Sequence, residues 1–188
     1  MACPRLLTAL ILATAFPVDG ALAQMPPAIA APGDDIVATF HAEGAQIYEC
    51  KPGNEGKLAW VFREPIATLL LDDKTVGRHY AGPTWEHGDG SAVTGKAVGN
   101  APGATVNDIP WLKLDVVNRR GSGTLADVTT VQRINSHGGA AQGACDQAGA
   151  FRSVPYSADY VFLSAHKSPA EPRRQWRRRR RSRTGQKS

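Results

Sequence analysis

No apolar run in this chain of 188 residues reaches the roughly 18–20 residues that a membrane-spanning helix needs, so no transmembrane segment is expected. Cysteine is scarce, three in all, and no Cys-x-x-Cys spacing occurs. No His-x-His or His-Glu-x-x-His marks a ready zinc or copper site, and no Gly-x-Ser-x-Gly elbow marks a hydrolase. Gly121-Ser122-Gly123 lacks the strand-to-helix setting of a phosphate loop, so no nucleotide site is proposed from it. Sustained 3.6-residue periodicity is missing outside the N-terminus, and so is any internal repeat. What remains is a chain of ordinary apolar content, 42%, with a length suited to one domain.

Positive charge is abundant overall and scarce where it would matter. The formal +5 divides into zero for residues 1–23, −4 for residues 24–164 (11 basic, 15 acidic) and +9 for residues 165–188 (10 basic, one acidic). Basic character thus belongs to the tail, and the body is mildly acidic.

Arg5, the apolar stretch Leu6 to Phe16, the helix breakers Pro17 and Gly20, and Ala21-Leu22-Ala23 together read as a signal peptide over residues 1–23. The chain is therefore expected to be secreted or periplasmic. Cys3 precedes the apolar stretch, so no lipid anchor is indicated. Export leaves Cys50 and Cys145, an even pair that reads as a disulfide 95 residues apart. The other reading, a reactive thiol or metal pair, has no adjacent histidine to support it.

Residues 24–35 form a Pro/Ala/Gly lead-in, expected to be flexible, and residues 36–164 a β-rich domain. Short strands are expected at 36–40, at 45–50 and 58–63 as a hairpin, at 67–71, and more weakly at 76–80 and 91–98. The clearest is 111–117, with Leu112, Leu114 and Val116 inward; 124–134 and 159–163 follow. Eight or nine short antiparallel strands predict an all-β sandwich or barrel-like domain, stapled by the disulfide.

The densest chemistry lies between His79 and Ser91. If the Gly82-Pro83 and Asp89-Gly90 turns fold the segment back, His79, Glu86, His87 and Asp89 form a candidate set for zinc or copper. The competing and favoured reading is a polar loop in which Asp89 caps a turn and Trp85 packs. Trp85, Ser91 and Trp111 form a second candidate set, an aromatic platform with polar neighbours for a ligand. Against it stands simple core capping by Pro110-Trp111. The Arg-rich tail, residues 165–188, is expected to be disordered. Its run from Arg173 to Arg183 offers an anionic surface a non-specific contact, while export argues against a specific nucleic-acid partner.

The stretches Ala45 to Cys50, His79 to Glu86, Asp89-Gly90-Ser91, Ile109 to Leu112, Val131 to Asn135, Gly138-Gly139, Cys145-Asp146 and Val154 to Tyr160 occur in order along residues 36–163. In them the chain resembles an uncharacterised family of secreted bacterial and fungal proteins, a domain of unknown function. The resemblance implies an exported β-rich domain with both cysteines in family motifs, and no activity. The sequence thus points to a non-catalytic binding or envelope-associated module. A metal-dependent enzyme using His79–Asp89 and tail-driven adhesion to anionic surfaces stand as alternatives.

Overall fold

The structure, a computed structural model, describes residues 25–53 and 56–166. Eight strands follow one another among them: β1 (Asp35–Pro52), β2 (Leu58–Leu71), β3 (Lys74–Tyr80), β4 (Thr84–His87), β5 (Ala92–Ala101), β6 (Trp111–Arg120), β7 (Thr130–Gly138) and β8 (Phe151–Ser164). Each pairs antiparallel with the next, and β8 returns to β1, so the sheet closes into a barrel. The all-β expectation holds, and of the two architectures it allowed, the chain forms the barrel. Closure leaves no edge strand with unpaired backbone groups.

Several strands are longer than local pattern suggests. The stretches 36–40 and 45–50 are parts of one strand, joined through Gly44, where a Cβ would collide with the Ile66 carbonyl of β2. Glycine here permits close strand approach rather than a turn. Likewise 58–63 and 67–71 fuse into β2, and Pro65 is tolerated beside the bulge at Ile47/Tyr48. β4 falls inside the segment read as a loop; four residues between two turns suffice when both neighbours pair with it. In 124–134, by contrast, only the part from Thr130 is strand. The residues before it form a loop whose Leu125 and Val128 are fully buried in the core.

The lead-in is docked from residue 25 onward rather than free. Pro27–Ile29 make one 3-10 turn, Ile29 is fully buried, and its carbonyl accepts a 2.6 Å hydrogen bond from Gln132 Nε2. Lys113 Nζ donates to the Ala30 carbonyl at 3.2 Å. The segment therefore lies against the outer faces of β5, β6 and β7, and Gly99 of β5 leaves room for the Ala28 carbonyl. Proline's fixed φ lowers the entropy cost of ordering it.

The strand alternation places Phe40, Leu69, Val93, Leu114, Val131 and Phe162 in the core. Cys50 and Cys145 are bonded, with Cα atoms 5.9 Å apart, which ties the stretch between β7 and β8 to the end of β1. The signal-peptide region and the Arg-rich tail lie outside the described residues.

Candidate functional site

Strand alternation divides the His79–Ser91 segment between two faces of the wall. His79 lies opposite Trp85, and both point inward; Arg78 lies opposite Glu86, and both point outward. Inside, the His79 ring stacks on Trp85 with centroids 4.6 Å apart and planes 5° from parallel, and Tyr160 meets both rings. His79 Nδ1 is 2.9 Å from the Thr84 carbonyl. A carbonyl only accepts, so Nδ1 carries the proton and Nε2 the lone pair. Burial pushes the His79 pKa down to about 3, because the charged imidazolium would lose its water.

Outside, Glu86 accepts hydrogen bonds from Tyr80, Arg78 and Arg120, which hold its carboxyl below the usual range. His87, on the Trp85 face of β4, stacks on the core residue Phe40, and its Nδ1 lies 2.9 Å from Asp89 Oδ2 at the turn. Asp89 accepts from Ser91 Oγ at 2.6 Å, from the Ser91 amide and from the Thr124 amide, so its pKa is strongly depressed. Ser91 Oγ in turn accepts from the Leu125 amide. Asp89 and Ser91 therefore clamp the loop that carries Leu125 and Val128 onto the β4–β5 turn.

The four residues of the candidate metal set thus occupy different places. His79 is interior, Glu86 sits in an exterior ion cluster, and His87 and Asp89 pair at the turn. Among the described residues no three His, Cys, Asp or Glu side chains group as metal ligands. Of the candidate ligand set, Trp85 lines the barrel cavity, Ser91 is buried in the clamp, and Trp111 stands half-buried outside the cavity lining.

The cavity was not foreseen from sequence. It occupies about 590 Å³ in the barrel interior, on the side where β1 runs through Gln46 and β7 through Arg133. His79, Trp85, Tyr160 and Leu114 line its deep part, while Phe62, Pro83 and Ala97 stand nearer solvent. Gly95 leaves room for the indole, since a Cβ there would come within 3.1 Å of Trp85. Of two buried donors on this lining, Trp85 Nε1 has no hydrogen-bond partner, and Gln46 Nε2 has only the neighbouring Tyr156 hydroxyl. Arg133 Nε and an Nη both donate to the Pro110 carbonyl. The Tyr156 and Tyr160 hydroxyls lie 3.4 Å apart, and burial raises both pKa values. The signal for Arg133 was present: with Val131 inward, strand period puts residue 133 inward too.

Fold and cavity together define an eight-stranded, up-and-down antiparallel barrel with an open, largely apolar interior chamber. Residues 31–75 and 70–164 match a family described as a protein of unknown function, DUF3455, and the chain belongs to that family. No curated protein and no solved structure matches it.

Proposed function

We propose that the protein is an exported, non-catalytic binding barrel that takes a small, mostly apolar ligand into its interior. The observation that carries this reading is the cavity of about 590 Å³ bounded by Phe62, Pro65, Leu112, Leu114 and Trp85. Its volume falls in the range of ligand pockets, roughly 300–1,000 Å³, and its mix of apolar wall and few polar groups is what such sites carry. An eight-stranded barrel is wide enough for one small ligand. Its outer wall bears ionic groups such as His41, Glu43, Arg78 and Asp159, the reverse of the apolar band of a membrane barrel. Export rests on the N-terminal sequence features and the disulfide.

The test is titration of the full chain with N-phenyl-1-naphthylamine, an uncharged apolar dye that brightens when desolvated. One-to-one saturation is expected, lost in Ala97→Phe, which blocks the cavity from a position open to solvent. Absence of saturable binding, or binding unchanged in that variant, overturns the reading.

A further inference from the structure

The side chains around the cavity carry charge of one sign. Arg63, Lys96 and Arg133 line it, and no Asp or Glu does, although residues 24–164 hold 15 acidic against 11 basic side chains. The chamber is thus opposite in sign to the net charge of the body around it. Arg63 is drawn partly outward, to Glu64 at 3.3 Å and over the Phe151 ring. Arg133 is the deeper cation, on the inward face of β7 opposite Leu112. A guanidinium has five N–H donors; two of Arg133's groups meet the Pro110 carbonyl, which leaves donor capacity.

The uncharged polar groups have the same bias. Trp85 Nε1 is a buried donor with no acceptor, and Gln46 Nε2 carries two N–H groups, of which the neighbouring Tyr156 hydroxyl takes one. Leaving a buried donor unmet carries its full desolvation penalty, so native proteins rarely do it without a water or ligand to complete it. The chamber therefore carries positive charge and an unmet N–H donor and no carboxylate, and an anionic acceptor group complements it.

Resting on the binding-barrel reading, we propose that the ligand is an apolar molecule bearing a carboxylate, with the carboxylate directed toward Arg133 and the Trp85 and Gln46 N–H donors and the apolar body held among Phe62, Leu112 and Leu114. A carboxylate supplies two acceptor oxygens that match a guanidinium in plane. At the roughly 30 Å³ that a water-sized group occupies in a liquid, the cavity admits on the order of twenty non-hydrogen groups. That size suits a fatty acid or a fused aromatic acid.

Competition against the bound dye separates the terms. Dodecanoate, 1-dodecanol and dodecyltrimethylammonium share one chain and differ only in head group; 2-naphthoate supplies the aromatic arm. One or both acids are expected to displace the dye at concentrations lower than dodecanol by about tenfold or more, as one charge-assisted hydrogen bond implies. The ammonium compound is expected to be the weakest. Arg133→Gln should remove most of the acid's advantage over dodecanol, read as the ratio of the two displacement constants within the same variant. Trp85→Phe, which keeps a ring and deletes the N–H, should reduce it several-fold, so the assignment stays testable if Arg133→Gln fails to fold. Equal binding of acid and alcohol, or preference for the cation, overturns the carboxylate and leaves the chamber reading standing. An acid preference unchanged in both variants overturns the assigned anchors. Failure of the dye itself to bind overturns the chamber reading instead.

Discussion

His79 shows how one side chain couples the interior to pH. In the unfolded chain a histidine titrates near 6.5, whereas in the fold burial holds it neutral down to about 3. Below 6.5 the unfolded state binds the extra proton, so stability falls as pH drops through the window from 6.5 toward 3 and is fully present above it. Between pH 7 and pH 5 this amounts to a loss of about 2 kcal/mol, readable as a lower urea midpoint. A His79→Gln variant should start less stable at pH 7 and show a flatter response over that interval. Asp89 acts with the same sign in a more acidic window: the fold favours its carboxylate, so its contribution is present above the unfolded-state value of 3.8 and is lost as pH falls below it. Asp89→Ala should lower the melting temperature by freeing the loop that holds Leu125, with Asp89→Asn intermediate, because the amide oxygen still accepts one of the three hydrogen bonds. Both residues stood out in the sequence, but as neighbours in one polar loop. Their separation depends on β4, whose four residues are too few to show period-2 alternation against the surrounding turns.

At the scale of the element, legibility followed the strength of alternation. β6 could be read because Leu112, Leu114 and Val116 alternate with Lys113 and Asp115, and all three apolar residues do pack toward the core. β1 and β8 were read only in part. Gly44 and Pro155 look like punctuation in a sequence, yet each lies within a continuous ladder, set there by the partner strand. The turn between β2 and β3 is a two-residue hairpin in which Asp72 and Asp73 adopt φ of 49° and 60°, the left-handed region. Glycine avoids the strain that a Cβ creates there, so Asp73→Gly is expected to stabilise by about 1 kcal/mol in chemical denaturation. The docked lead-in depends on a single buried anchor. Ile29→Ala should cost about 2–4 kcal/mol, and its neighbours, the amides of Ile29 and Ala30, should lose hydrogen-exchange protection.

For the whole molecule, the disulfide is the largest single stabiliser that the sequence announced. Cross-linking residues 95 apart stabilises by about 4–5 kcal/mol in the chain-entropy view. The Cys50→Ser/Cys145→Ser double variant should lose most of that in urea titration, and wild type under reducing conditions should approach it. The chamber was the least legible feature, because no local pattern encodes a void. It arises where inward positions from β1, β3, β4, β6, β7 and β8 converge, and where Gly95 and Ala97 supply little volume. A chain can advertise which residues face inward, but how far they fall short of filling the interior depends on strands more than a hundred residues apart.

The pairing of β1 with β8 carries a consequence for synthesis. The first strand finds half its backbone partners in the last, Phe40 opposite Tyr160 and Glu49 opposite Phe151. Until the C-terminal strand has arrived, β1 presents the open amides and carbonyls of its Asp35–Glu49 edge with nothing native to receive them. Such non-local closure is slow, so the waiting chain is most exposed to self-association while it is incomplete. A protein truncated before Phe151 should accordingly be recovered as aggregate rather than as a smaller barrel.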